Sequence, residues 1–103
     1  MDDLAEEYFY EPARGHGLAH DPFKAIVAPR PIGWISTCDR SGRANLAPYS
    51  FFNAFSSNPP IVGFCSEGRK DSIRNAEETG EFVANFVTRA LAAAMNQTSA
   101  EVP

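Results

Sequence analysis

The residue types best suited to chemistry lie in Ser66-Glu67-Gly68-Arg69-Lys70-Asp71-Ser72, where two hydroxyls, a glycine and two cations run into a helical pattern. The first amides of a helix lack intrahelical partners, and the helix dipole adds partial positive charge there. A phosphate at that end would take amide hydrogen bonds, hydroxyls from Ser66 and Ser72, and charge from Arg69 or Lys70. The same residues also make an ordinary capped helix with solvated charges. A second stretch, Asn45-Leu46-Ala47-Pro48-Tyr49-Ser50-Phe51-Phe52, joins a proline-interrupted strand to hydroxyls and aromatics. A planar heteroaromatic ring needs apolar faces together with amides and hydroxyls at its polar edge, and Ala47, Pro48, Tyr49, Ser50 and Phe51 offer both. Taken alone, this stretch reads more simply as a core strand of aromatics.

Other chemistries find little support. No Ser-His-Asp set, usable Cys-His pair or pair of carboxylates on one element is present, so hydrolysis has no machinery. Cys38 and Cys65 are the only cysteines and form no CxxC spacing, which points to neither a zinc site nor a disulfide framework. His16 and His20 are four residues apart, but Gly15 and Gly17 oppose a helix that would aim both rings together. A cofactor that performs the reaction itself asks only for binding, orientation and electrostatic tuning. A plain binding module asks for no more.

These residues must be positioned by strands. Ile32–Cys38 places β-branched Ile32, Ile35 and Thr37 around Trp34 and reads as a strand, entered through the extended Pro29-Arg30-Pro31. Asp39-Arg40-Ser41-Gly42 is a turn. Asn45–Phe51 is a second strand, with Pro48 marking an edge or a bulge. Asn58-Pro59-Pro60 is a stop before a third strand, Ile61–Cys65. Asp71–Thr79 follows as a helix, with Asp71 as N-cap, Ile73 and Ala76 on an apolar face and Gly80 as its end. Glu81–Thr88 is a fourth strand, buried on much of both faces, and Thr88 caps a last helix over Arg89–Asn96. Four strands and two short helices do not close a barrel, so the expectation is a chain completed by further residues or by another copy.

The 103 residues amount to one domain, and 44% hydrophobic with 21% charged residues is an average globular composition. Residues 1–22 read as an arm, with Tyr8, Phe9 and Tyr10 as an apolar anchor, and 23–103 as the domain. The net charge of -4 belongs to the arm's start, where five acids precede residue 12, leaving eight acids against nine bases beyond it. No basic stripe suits a nucleic-acid backbone. No apolar run approaches the roughly 18 residues of a membrane span and no signal-peptide pattern opens the chain, so the cytoplasm is the expected location.

Taken in order, Arg30-Pro31-Ile32-Gly33-Trp34-Ile35-Ser36-Thr37, Gly42, Asn45–Phe52, Asn58-Pro59-Pro60, Arg69-Lys70-Asp71-Ser72, Asn75 and Thr79-Gly80-Glu81-Phe82 resemble the flavin reductase family. The resemblance runs from about Phe23 to about Thr88. It implies a mainly β, Greek-key-like split β-barrel that binds FMN, present here as its N-terminal part, with family members usually longer. It also implies a homodimer with FMN, or FAD in its place, near the subunit interface and NAD(P)H as electron donor. The phosphate would lie on Lys70 and Ser72, and the ring along Trp34–Thr37 and Ala47–Phe52. The expected cofactor-binding residues are therefore Trp34, Ser36, Thr37, Ala47, Pro48, Tyr49, Ser50, Phe51, Ser66, Arg69, Lys70 and Ser72, with no catalytic side chain and no metal. Position 72 carries Ser where the family commonly has threonine, which keeps the hydroxyl. The expected function is NAD(P)H-dependent flavin reduction, in some members supplying a partner monooxygenase. The alternatives are a non-enzymatic FMN carrier of the flavoredoxin kind, a pyridoxamine-phosphate-oxidase-like protein, and a structural or interaction domain without cofactor.

Overall fold

The computed structural model describes residues 7–100. Five strands, β1 (Gly33–Cys38), β2 (Ala44–Tyr49), β3 (Phe52–Ser57), β4 (Pro60–Phe64) and β5 (Val83–Asn85), are joined by short helices α1 (Phe23–Ile26), α2 (Asp71–Thr79) and α3 (Ala92–Gln97). They form a three-stranded sheet in the order β2-β1-β5 and a separate β3-β4 hairpin, all antiparallel. Neither sheet closes into a barrel among the described residues. The architecture is mainly β with short helices and open sheets, as expected.

The central strand shows why. Side chains alternate across a strand, so Ile35 and Thr37 share one face of β1 while Trp34 and Ser36 share the other. Ile35 is fully buried and Thr37 nearly so, under α2, whose Asn75 Nδ2 donates to Thr37 Oγ1 at 3.1 Å. On the opposite face the Trp34 indole N–H donates to Thr98 Oγ1 at 3.0 Å, just past α3, and Asn85 Nδ2 donates to Ser36 Oγ at 3.2 Å. Cover on both faces is what buries this strand. The two sheets meet through aromatics: Tyr49 of β2 lies 4.8 Å from Phe64 of β4, which lies 4.9 Å edge-on from Phe82. Gly33 permits the closest approach, since a Cβ there would stand 2.5 Å from Phe52 Cδ1.

Several elements differ from expectation. Strand β3 was not anticipated, because Asn53, Ala54, Ser56 and Ser57 carry little β-propensity. Asn58-Pro59 is accordingly the turn of the β3-β4 hairpin and not a bare stop. Pro48 sits on edge strand β2 in unbroken register opposite Trp34, and the irregularity lies instead at Phe55, between Ala54 and Ser56. An edge tolerates proline because its missing N–H need not join a ladder. Helix α2 has the expected bounds, but Lys70 occupies its cap position and no side chain caps it. Its buried residues are Ser72 and Asn75, since that face meets hydroxyl and amide partners on β1 and β2. The fourth expected strand shrinks to Val83–Asn85, with Val83 57% and Phe86 95% exposed, because nothing among the described residues covers it. The last helix begins with a 3₁₀ turn, Arg89–Leu91, and becomes α-helical at Ala92. The acids Asp2, Asp3 and Glu6, like Glu101-Val102-Pro103, lie outside the described residues.

Candidate functional site

An open cleft of about 820 Å³ runs between β2 and the start of α2. One wall is Asn45–Phe51, which is strand as far as Tyr49 and then bends through Ser50 and Phe51. The facing wall is Glu67, Arg69, Lys70, Asp71, Ser72 and Arg74, with Gln97–Ala100 at a further edge. The helix start is open for a backbone reason. The first intrahelical bond runs from the Arg74 amide to the Lys70 carbonyl at 3.1 Å, so the amides of Asp71, Ser72 and Ile73 precede the ladder. None of the three has an acceptor among the described residues.

The charges around this opening are already sorted. Arg69 reaches Glu77 with both terminal nitrogens, one at 3.4 Å. Hydrogen bonding from Arg69, then its charge, holds the Glu77 carboxyl below its ordinary range, and the same contact raises the arginine. Asp71 pairs with Arg74, and Lys24 with Glu67 at 3.0 Å. Lys70 makes no ion pair among the described residues. It is therefore the cation most open to an incoming anion at the helix start.

The anticipated residues divide into two groups. Ala47, Pro48, Tyr49, Ser50, Phe51, Arg69, Lys70 and Ser72 all line the cleft. Ser72 is almost fully buried, and its Oγ accepts from Asn45 Nδ2 at 2.9 Å, which ties the two walls together. Trp34, Ser36, Thr37 and Ser66 lie outside the lining. The first three tie β1 to Thr98 past α3, to the neighbouring strand β5 and to α2, and the Ser66 hydroxyl donates to the Gly68 carbonyl at 2.9 Å. Lining residues that sequence reasoning did not assign to the site include Lys24, Arg30, Asn45, Cys65, Arg74 and the segment Gln97–Ala100. Arg30 was visible beside two prolines, but its reach to Ser50 depends on how α1 folds back. Among the described residues no group of three or more His, Cys, Asp or Glu could hold a metal ion.

The fit to a phosphorylated flavin rests on this geometry. Three helix amides and a lysine without partners among the described residues suit a phosphate, and Tyr49, Ser50 and Phe51 opposite offer aromatic faces beside a hydroxyl.

Comparison with known proteins gives the family of the chain. The sequence model of the flavin reductase like domain matches residues 27–103. The chain is 41% identical over 91 residues to the uncharacterized protein YwrF of Bacillus subtilis, covering 82% of this chain and 44% of that protein. An uncharacterized protein of Aquifex aeolicus is 40% identical over 83 residues, covering 76% of this chain and 42% of its own. The chain thus spans less than half the length of these relatives. Among solved structures, nitrilotriacetate monooxygenase component B from Bacillus cereus superposes with a TM-score of 0.79 at 32% identity, covering 97% of this chain and 52% of that one. The 2-nitrobenzoate 2-nitroreductase NbaA of Pseudomonas fluorescens gives 0.71 at 26% identity, covering 98% and 48%.

Proposed function

The chain belongs to the flavin reductase like domain family, and on that basis we propose that it binds FMN in the cleft and passes electrons from NAD(P)H to the flavin. The observation that carries this reading is the uncapped start of α2, set in the wall of a cleft whose other wall is Asn45–Phe51. Bound flavin supplies the redox chemistry itself. The protein's task is to hold and orient it. Lys70 and the amides of Asp71, Ser72 and Ile73 would take the phosphate, with the Ser72 hydroxyl fixed beside them by Asn45. Tyr49 and Phe51 would lie against the ring, and Ser50 would serve its polar edge. Arg69, held by Glu77, contributes background positive charge more than a direct contact. FAD would have to extend beyond the cleft's phosphate end.

Residues 23–103 are then part of a split-barrel domain, with 1–22 as an arm, in a homodimer. No helix among the described residues is long and apolar enough to cross a membrane, and we place the protein in the cytoplasm. The likeness to a monooxygenase component supports a role in supplying reduced flavin to a partner enzyme. Stopped-flow absorbance at the flavin band tests the reading. NAD(P)H should bleach protein-bound FMN within the time of one turnover, and added FMN should sustain oxidation. Flavin that accepts electrons only from dithionite or a protein donor would overturn the reductase and leave an FMN carrier. A protein that retains no flavin at all would overturn both.

A further inference from the structure

Behind Phe51 lies a second hollow of about 360 Å³, bounded by Phe23, Val27 and Pro31 on one side and by Phe52 and Phe55 on the other. That volume is at the lower end of small-molecule pockets, roughly 300–1,000 Å³. Arg30 borders both this hollow and the larger cleft. Its guanidinium is fixed on several sides. Nε donates to Ser50 Oγ at 3.3 Å, and Nη1 donates to the carbonyls of Lys24 and Val27 at 2.7 Å each. The guanidinium carbon stands 5.2 Å from the centroid of the Phe51 ring.

A guanidinium has about five N–H donors, and these bonds occupy those of Nε and Nη1. Nη2 has no hydrogen-bond partner among the described residues. Nor does Arg30 pair with a carboxylate there, whereas Lys24, Arg69 and Arg74 each do. A planar cation held in place, with the two N–H groups of Nη2 to spare, offers a carboxylate charge-assisted hydrogen bonds from that one nitrogen. Phenylalanine rings beside it favour a flat, apolar body on that carboxylate. We infer that the hollow is a subsite for a small aromatic carboxylate, its ring among the phenylalanines and its charge on Arg30. This goes beyond the flavin reading and does not rest on it: Arg30, Ser50, Phe51 and Cys65 border both spaces, but Phe23, Val27, Pro31, Phe52 and Phe55 line the hollow and not the cleft.

Isothermal titration of the full chain with benzoate, benzamide and cyclohexanecarboxylate tests the assignment, with FMN titrated alongside. Benzoate should saturate, and both other probes should bind more weakly, benzamide by about tenfold because the charge-assisted bonds are missing. Arg30→Gln should abolish the preference for benzoate over benzamide. Because Arg30 also ties α1 to Ser50, that variant could lose its fold, so Phe55→Glu is the second arm. It leaves every Arg30 hydrogen bond in place, sets a carboxylate at the hollow's exposed side, and should weaken benzoate more than benzamide. Benzoate that does not saturate, or that binds the wild type no better than benzamide, would overturn the subsite. So would a preference that survives in both variants. Loss of FMN binding with benzoate binding intact would count against the cleft reading alone.

Discussion

Lys70 is where a phosphate and a mere helix start give opposite results. A hydrogen bond to a charged group contributes about 1.5–3 kcal/mol, and each 1.4 kcal/mol is roughly tenfold in affinity. Lys70→Ala should therefore weaken FMN by about ten- to a hundredfold while leaving riboflavin, which lacks the phosphate, almost unchanged. Fluorescence titration of both ligands separates this from a folding defect, which would weaken them together. An unchanged preference for FMN would move the phosphate elsewhere. A buried pair makes the opposite kind of claim, about stability. Thr37 and Asn75 are both buried and bonded to each other at 3.1 Å. Thr37→Val keeps the shape and strands the amide, which should cost about 1–3 kcal/mol in urea unfolding. A change within a few tenths would show that the bond contributes little.

Among the elements, the β1-β2 turn and the Gly33 contact set the positions of the cleft wall. Asp39 Oδ1 accepts from the Ser41 hydroxyl at 2.7 Å and from the Ser41 and Arg43 amides at 2.9 Å each. The Ser41 hydroxyl, then the Arg43 amide, holds the Asp39 carboxyl below its ordinary value. A carboxyl depressed in the folded chain stabilises it above the unfolded pKa and loses that contribution as pH falls through the folded pKa. Thermal melts of wild type and Asp39→Asn should thus differ by a constant margin near neutrality that shrinks through the acidic carboxylate range. A margin that widened with acid would contradict the turn's role. Gly33→Ala would force a Cβ to within 2.5 Å of the Phe52 ring, and overpacking of that kind costs typically about 1–3 kcal/mol. The ring sits one residue past Phe51, so FMN affinity should fall as stability falls.

At the scale of the molecule, the buried apolar core among the described residues is Trp34, Ile35 and Tyr49, while Phe55, Val83 and Phe86 are well exposed. The radius of gyration is 17.8 Å, against about 13 Å for a compact domain of similar length. So small a core leaves much apolar surface in water, and surface of that kind marks association sites. The 103-residue chain alone should scatter as a species larger than 11.2 kDa and bind a hydrophobic dye. A compact monomer with no dye binding would overturn that expectation.

What could be read from the chain alone was whatever depends on neighbours in sequence. The β-branched run around Trp34 made β1, and the bounds of α2 followed from Asp71 and Gly80. The ordered set of motifs from Arg30 to Phe82 carried the family, because many short signals in register are specific where each alone is weak. The β3 strand escaped, since its small polar residues acquire strand geometry only by pairing with β4. The division of the anticipated site residues was equally invisible. Trp34, Ser36 and Thr37 have the chemistry of a cofactor edge, but Thr98, Asn85 and Asn75, distant in sequence, claim them as structural partners. Lys70 and Arg69 are adjacent and alike in charge, and only the return of α2 past Arg69 gives one a glutamate and leaves the other without an ion pair among the described residues. Local residue types set which chemistry was available. Long-range packing decided which side chains were free to perform it, because a hydrogen bond made at folding is a donor no longer offered to a ligand.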